Sequence, residues 1–144
     1  MDGYIDNFYG EYRWLSNFWP AKVSVYGEEY PTVEHAYQAA KSLNAEVRKS
    51  IQNCPTPKDA KRVSHLIEIR KDWDEVRVRI MYYLLKQKFV DAILRQKLID
   101  TGDKILVEGN TWGDKFWGQV GGVGENTLGK LLMMIRRDII KDNK

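Results

Sequence analysis

The spacing of apolar and polar residues changes from a β-like to a helical period near residue 32. In the first thirty residues, which are rich in aromatic residues and glycine, Val23 and Val25 alternate with polar residues and predict a short strand over 22–26. Behind Thr32, a residue type favoured as an N-cap, apolar residues recur at helical spacing and predict a helix over 33–43. The chain therefore begins with strand and loop and continues with helix.

The rest of the chain predicts four more helices and one buried strand. The expected helices span residues 58–65, 72–90 and 92–100 and run onward from Asn126, and the expected strand spans 104–108. The helix over 72–90 is apolar on two sides, which is typical of a central helix. One face of the last helix carries Leu128, Leu131, Leu132, Ile135 and Ile139. Together these elements predict an α+β fold that is mostly helical with a small β-sheet.

Length and composition predict one globular domain over residues 1–144. The chain has 144 residues, of which 43% are apolar and 30% charged, and no segment resembles a linker or a repeat. Its single cysteine, Cys54, excludes an internal disulfide, and two histidines provide no zinc-binding pattern. We therefore expect a reducing environment and no metal.

The lengths of the apolar runs, the N-terminal residues and the net charge indicate where the protein is located and which partners it binds. The longest uninterrupted apolar run, 80–85, is far shorter than the ~20 residues that span a bilayer. The first residues lack the basic start and apolar core of a secretory signal, so a cytoplasmic location without a membrane partner is expected. A net charge of +3 with interspersed signs favours a small phosphate-bearing ligand at least as much as a nucleic acid.

Glu34 and His35 begin an otherwise apolar helix. Glu34 has two interpretations: it complements the helix dipole, or it is a partly buried carboxylate whose raised pKa suits acid-base chemistry. His35 is expected to satisfy a hydrogen bond in the core.

The segment 108–126 is the most unusual stretch of the chain. It is rich in glycine and places Trp112 and Trp117 on either side of Asp114. One interpretation is an anion cradle, because free amides at a helix start attract phosphate. The other is a glycine-lined turn that packs two tryptophans. Neither a Walker loop nor a dinucleotide-binding fingerprint is present.

Two carboxylates on separate segments suit the hydrolysis of a glycosidic bond. Glu34 and Asp114 would provide such a pair, although sequence spacing does not show that they meet. Basic residues such as Lys61 and Arg62 would hold a phosphate, and some of the tryptophans would stack on a heterocycle. No arrangement of nucleophile and base for acyl chemistry is present.

Eight ordered motifs resemble the YbiA-like, or NADAR, family over nearly the whole chain. They are Leu15-Ser16-Asn17-Phe18, the run from Tyr30 to Ala39, Ala60-Lys61-Arg62, Asp72-Trp73-Asp74, Thr101-Gly102, Leu106-Val107-Glu108, the run from Asp114 to Gly118, and the run from Gly124 to Met133.

This resemblance implies an N-glycosidase that cleaves the bond between ribose C1 and nitrogen. One branch of the family acts on phosphoribosylaminopyrimidine intermediates of the riboflavin pathway and gives ribose 5-phosphate and free pyrimidine. Another branch removes ADP-ribose from guanine, in which case nucleic acid would enter only as a modified substrate. A module that binds ADP-ribose or NAD without turnover is the third alternative.

The resemblance also implies the roles of individual residues. Glu34 and Asp114 are the expected catalytic pair, with the acid and base roles left open. The expected substrate-binding residues are Asn17, Phe18, Lys61, Arg62, Trp73, Trp117 and Asn126. No metal or organic cofactor is expected, because hydrolysis of this bond needs only water and acid-base groups. The oligomeric state is left open.

Overall fold

A computed structural model of the chain describes residues 3–143, and about half of the chain is helical. The strands are β1 (Tyr4–Ile5), β2 (Pro20–Val25), β3 (Glu28–Thr32) and β4 (Ile105–Leu106). The helices are α1 (Val33–Ala39), α2 (Ala45–Gln52), α3 (Pro57–Ser64), α4 (Trp73–Lys88), α5 (Ala92–Asp100) and α6 (Thr127–Asp142), and a 3-10 helix spans Gly10–Leu15.

The predicted α+β class is confirmed, while several element boundaries differ. The first helix ends at Ala39 instead of residue 43. A separate helix, α2, was not predicted; it begins where the Asn44 side chain accepts hydrogen bonds from the amides of Glu46 and Val47. In place of one small sheet, the described residues form two separate two-stranded sheets, because β1 pairs with β4 and β2 pairs with β3.

The chain divides into two compact units. Unit 2 runs from Asn17 to Lys88, and unit 1 contains the described residues up to Ser16 and from Phe89 onward. In unit 2, strands β2 and β3 form an antiparallel hairpin. Its two turn residues, Tyr26 and Gly27, both have positive φ angles (54° and 75°), as a type I′ turn requires.

Helix α1 is the centre of unit 2. Every residue from 32 to 40 is buried, and the helix packs against α2, α3, α4 and both strands of the hairpin. The sequence pattern predicted that α4 would be central, but Tyr83 in that helix is 53% exposed. The shorter helix takes the central position because small residues such as Ala36 and Ala39 let its neighbours approach from every side.

Unit 1 is built from the parallel pair β1–β4 together with α5 and α6. Ile5 lies opposite Leu106 in the pair, and α6 packs against both β4 and α5. The predicted apolar face of α6 is buried at Leu128, Leu131, Leu132 and Ile135, whereas Ile139 is only partly buried. No helix among residues 3–143 is long and apolar enough to cross a membrane.

A lysine at the end of α4 is buried almost completely. Lys88 is 1% exposed, and burial lowers the pKa of its ammonium group to about 7. Because the folded-state pKa lies below the ordinary lysine value of 10.5, the unfolded chain binds an extra proton between these two pH values. This lysine therefore destabilises the folded state as the pH falls from about 10.5 to about 7.

We expect Lys88→Met to weaken the pH dependence of the free energy of unfolding between pH 7 and 10. The difference in slope between the native chain and the variant should approach about 1.4 kcal/mol per pH unit, and the variant should be the more stable at about pH 7. Urea unfolding at a series of pH values measures both effects. Lys86→Met, at an exposed position in the same helix, is the control. Equal slopes in the native chain and Lys88→Met would contradict the prediction.

Candidate active site

Glu34 lies in the first turn of α1, which the Thr32 side chain caps. Thr32 Oγ1 accepts a hydrogen bond from the amide of His35 at 3.0 Å and lies 2.8 Å from His35 Nδ1. His35 Nε2 lies 2.9 Å from the carbonyl oxygen of Cys54. A neutral imidazole with its proton on Nε2 satisfies both ring contacts, because Nε2 donates to the carbonyl and Nδ1 accepts from the hydroxyl. His35 thus satisfies core hydrogen bonds, as the sequence predicted.

The Glu34 carboxylate is buried and held by a hydrogen bond within its own helix. The residue is 7% exposed, and Gln38 Nε2 donates to Glu34 Oε2 at 2.6 Å. The amide of Glu34 donates to the carbonyl oxygen of Asn17 at 3.1 Å, which places Asn17 beside the start of the helix. A carboxylate this deeply buried differs from an exposed acid that only complements a helix dipole.

Two buried oxygen atoms beside Glu34 accept no hydrogen bond from the described residues. They are Asn17 Oδ1 and Gln38 Oε1, on residues that are 9% and 4% exposed. The Asn17 amide nitrogen donates to Met81 Sδ at 3.6 Å. Buried acceptors normally find a donor, so both atoms are suited to receive hydrogen bonds from a ligand.

Lys41 lies within electrostatic range of Glu34 and of two other basic residues, Lys61 and Arg77. Burial lowers the pKa of Lys41, the charge of Glu34 raises it, and the charges of Lys61 and Arg77 lower it. Lys41, Lys61 and Arg77 therefore form a group of positive charges centred on Lys41, which is the member shown to interact with the Glu34 carboxylate. Arg62, the other predicted phosphate ligand, has a side chain that is 76% exposed and pairs with Asp59 at 2.8 Å. Of the two predicted residues, only Lys61 belongs to this group of charges.

Aromatic side chains also lie on this part of unit 2. Trp73 is 7% exposed, and its ring lies 5.0 Å from the ring of Tyr37 in a tilted arrangement. The ammonium group of Lys41 lies 5.7 Å from the centre of the Tyr37 ring. Phe18, next to Asn17, is 41% exposed and thus presents an apolar surface to solvent. The roles of Trp73 and Phe18 in substrate binding stay predictions.

The second predicted carboxylate, Asp114, organises a loop in unit 1. Its Oδ1 atom accepts hydrogen bonds from the amides of Phe116 and Trp117 at 3.0 and 2.9 Å. The side chain of Asn110 in turn bonds both the amide and the carbonyl of Asp114. Asp114 therefore caps a turn, and the residue is only partly buried.

The anion-cradle interpretation of segment 108–126 is wrong for the amides that lead into α6. The amides of residues 125, 126, 127 and 128 donate to the carbonyl oxygens of residues 115, 118, 116 and 117, at 2.7 to 3.2 Å. These amides are occupied by the loop itself. The segment is closer to the alternative, a glycine-lined turn, and the ring of Trp117 packs edge-on against Phe116 at 4.9 Å. The role of Trp117 in substrate binding stays a prediction.

The side chain of Asn126 is also used within unit 1. Its Oδ1 accepts from the amide of Glu108 at 3.0 Å, and its Nδ2 donates to the carbonyl of Leu106 at 2.9 Å. Gly129 makes room for this arrangement, since a Cβ there would lie 2.1 Å from the Leu106 carbonyl oxygen. Asn126 thus ties β4 to the start of α6, and its role in binding ribose stays a prediction.

Sequence reasoning did not single out Gln38, Lys41 or Arg77. Gln38 follows Glu34 by four residues on a helix, the spacing at which side chains meet, and this signal was available from the sequence. The proximity of Lys41 to Arg77, which lies on another helix, had no comparable signal. No group of three or more potential metal ligands occurs in the described part of the chain.

Comparison with known proteins places the chain in a family. A model of the NADAR domain matches residues 6–140. N-glycosidase YbiA of Escherichia coli K12 is 38% identical over 148 residues, which cover 96% of this chain and 91% of that protein. The NMR structure of E. coli YbiA matches with a TM-score of 0.84 at 35% identity, covering 99% of this chain and 89% of that one. The chain belongs to the NADAR family.

A further relative is larger. Riboflavin biosynthesis protein VVA0006 of Vibrio vulnificus is 35% identical over 129 residues, which cover 87% of this chain and 35% of that protein. The predicted family, the predicted fold class and the predicted enzyme class, a hydrolase that acts on N-glycosyl bonds, are confirmed.

Substitutions at Asp114 should show how much its side chain contributes to the stability of the turn that it caps. We expect Asp114→Ala to lower the free energy of unfolding by about 1 kcal/mol, because two amides lose their acceptor. Asp114→Asn keeps an oxygen at the Oδ1 position and should stay close to the native stability. Thermal unfolding of both variants measures this difference. Equal stability of Asp114→Ala and the native chain would show that the turn does not depend on this side chain.

Proposed function

We propose that this chain hydrolyses the bond between ribose C1 and nitrogen in phosphoribosylaminopyrimidine intermediates of the riboflavin pathway. The products would be ribose 5-phosphate and the free aminopyrimidine. The observation that carries the proposal is the buried Glu34 carboxylate, which lies near the positive charge of Lys41 and beside two buried acceptor atoms without a donor among the described residues. The names of the YbiA and Vibrio relatives support the same chemistry.

The reaction replaces a carbon-nitrogen bond by a carbon-oxygen bond. As the C1–N bond breaks, positive charge develops at C1, and a nearby carboxylate stabilises it. Water then bonds to C1 through its oxygen, one of its protons passes to a carboxylate, and the departing nitrogen gains a proton. We assign one of these roles to Glu34 and keep Asp114 as the candidate for the other, with the order of acid and base left open.

Polar, basic and aromatic side chains near Glu34 are suited to bind the ribose hydroxyls, the phosphate and the ring of such a substrate. Asn17 Oδ1 would accept a hydrogen bond from a ribose hydroxyl, since it is buried with no donor among the described residues. The positive charges of Lys41, Lys61 and Arg77 would neutralise the 5-phosphate. Trp73 would form an apolar wall next to them, packed against Tyr37.

Glu34→Gln is expected to lower turnover by about 100-fold or more while the fold is retained. The measurement is release of ribose 5-phosphate from a phosphoribosylaminopyrimidine, followed by mass spectrometry beside an assay for release of ADP-ribose from ADP-ribosylated guanosine. Glu46→Gln is the matched control, because Glu46 is an exposed acid in the first turn of α2.

The outcomes of this assay separate the alternatives. If Glu34→Gln is as active as Glu46→Gln, Glu34 only complements the helix dipole and the catalytic assignment fails. Release of ADP-ribose alone would identify the chain as a de-modifying glycohydrolase. A folded chain that binds ADP-ribose and cleaves neither compound would be a binding module.

Lys61→Met should raise KM for the phosphorylated substrate by about tenfold and change kcat little, since the phosphate lies away from the broken bond. The corresponding riboside without phosphate should show no such change in KM. Lys58→Met, at an exposed position in the same helix, is the control. The phosphate assignment would be refuted if the substitution raised KM equally for both compounds.

A further inference from the structure

Gln38 is a buried residue that contacts the Glu34 carboxylate and has no role in the reaction proposed above. The residue is 4% exposed and lies in the fully buried helix α1, one turn after Glu34. Its amide nitrogen donates to Glu34 Oε2 at 2.6 Å, a short contact of the kind made to a charged acceptor. Its amide oxygen accepts no hydrogen bond from the described residues.

The orientation of this amide follows from the same contact. Glu34 Oε2 can accept from the nitrogen of Gln38. The opposite orientation of the amide would place two oxygens 2.6 Å apart, and an ionised carboxylate has no proton to bond them. The amide oxygen is therefore the atom left over. A buried acceptor without a donor is unfavourable by itself, and a ligand hydroxyl at that point would remove the penalty.

We propose that Gln38 is a positioning residue for Glu34 and also a contact to the substrate. Its Nε2 atom holds one oxygen of the Glu34 carboxylate and thereby fixes the orientation of the carboxylate group. Its Oε1 atom accepts a hydrogen bond from a ribose hydroxyl, which links binding of the sugar to the orientation of the carboxylate. This inference rests on the proposed function, because it requires that Glu34 act on a ribosyl substrate.

The matched control is present in the chain itself. Gln96 Nε2 donates to Asp100 Oδ1 at 2.8 Å, with the same spacing of four residues, on the exposed side of α5. Gln96→Met removes an equivalent glutamine-carboxylate hydrogen bond at a position open to solvent. The Gln96→Met variant should have the same kcat and KM as the native chain.

Two substitutions divide the functions of Gln38. Gln38→Met keeps the length of the side chain and removes both donor and acceptor. We expect its kcat to fall by about 10- to 100-fold and its affinity for ribose 5-phosphate, measured by titration calorimetry, to fall by about tenfold. Gln38→Glu keeps an acceptor oxygen and replaces the amide by a carboxyl group.

The pH profile of Gln38→Glu is the reading that a purely structural role would not change. Two carboxyl groups at this distance share one proton, and the protonated group can replace the amide as donor. Activity should therefore persist in acid and be lost as the pH rises, when both groups ionise and repel. The non-exposed charged residues on the elements that pack against α1 are Glu28, Arg48, Asp59, Lys61, Arg77 and Lys88, and all are unchanged in these variants.

The outcomes distinguish this inference from the proposed function. If Glu34→Gln is inactive while both Gln38 variants match Gln96→Met in kcat, affinity and pH profile, the inference is wrong and the proposed function stands. If Glu34→Gln is fully active, or the native chain does not bind ribose 5-phosphate, both are wrong. If Gln38→Met fails to fold, a Gln38→Glu profile that falls with rising pH supports the inference, and one like the native profile overturns it.

Discussion

The hydrogen bond between Gln38 and the buried carboxylate of Glu34 is the interaction on which the candidate site depends. A carboxylate on a residue with 7% exposure is strongly destabilising unless polar groups replace the water it has lost. The central helix provides one such group from its own next turn, at 2.6 Å. The same helix must also be buried on all sides, which requires the small residues between its polar positions.

The two carboxylates that the sequence paired have different surroundings. Glu34 is buried in a helix, near the positive charge of Lys41 and next to acceptors that have no donor among the described residues. Asp114 lies in a loop where it accepts two backbone amides. The first environment is suited to binding a ligand because two buried acceptors there have no donor among the described residues. In the second environment, Oδ1 of Asp114 already accepts two backbone hydrogen bonds that hold the turn, and the same side chain would have to take part in any reaction.

Local pattern was enough to predict much of the fold and failed at identifiable places. The helices after Pro57 and Asp91 were predictable because a proline or cap and a helical period coincide there. Helix α2 was missed because its apolar positions are few, and its start depends on the cap at Asn44. The central role of α1 could not be predicted from its length, since it follows from how closely the neighbouring elements approach its alanines.

The sequence by itself determined the family, the α+β class, the main helices and the place of Glu34 at a helix start. These features follow from residue types at fixed short spacings, where propensity and periodicity act locally. Only the tertiary structure decided which buried polar atoms have no donor among the described residues, that the amides before α6 are already occupied, and that Lys41 lies near Lys61 and Arg77. Those features depend on contacts between residues far apart in the chain, for which local spacing carries no information.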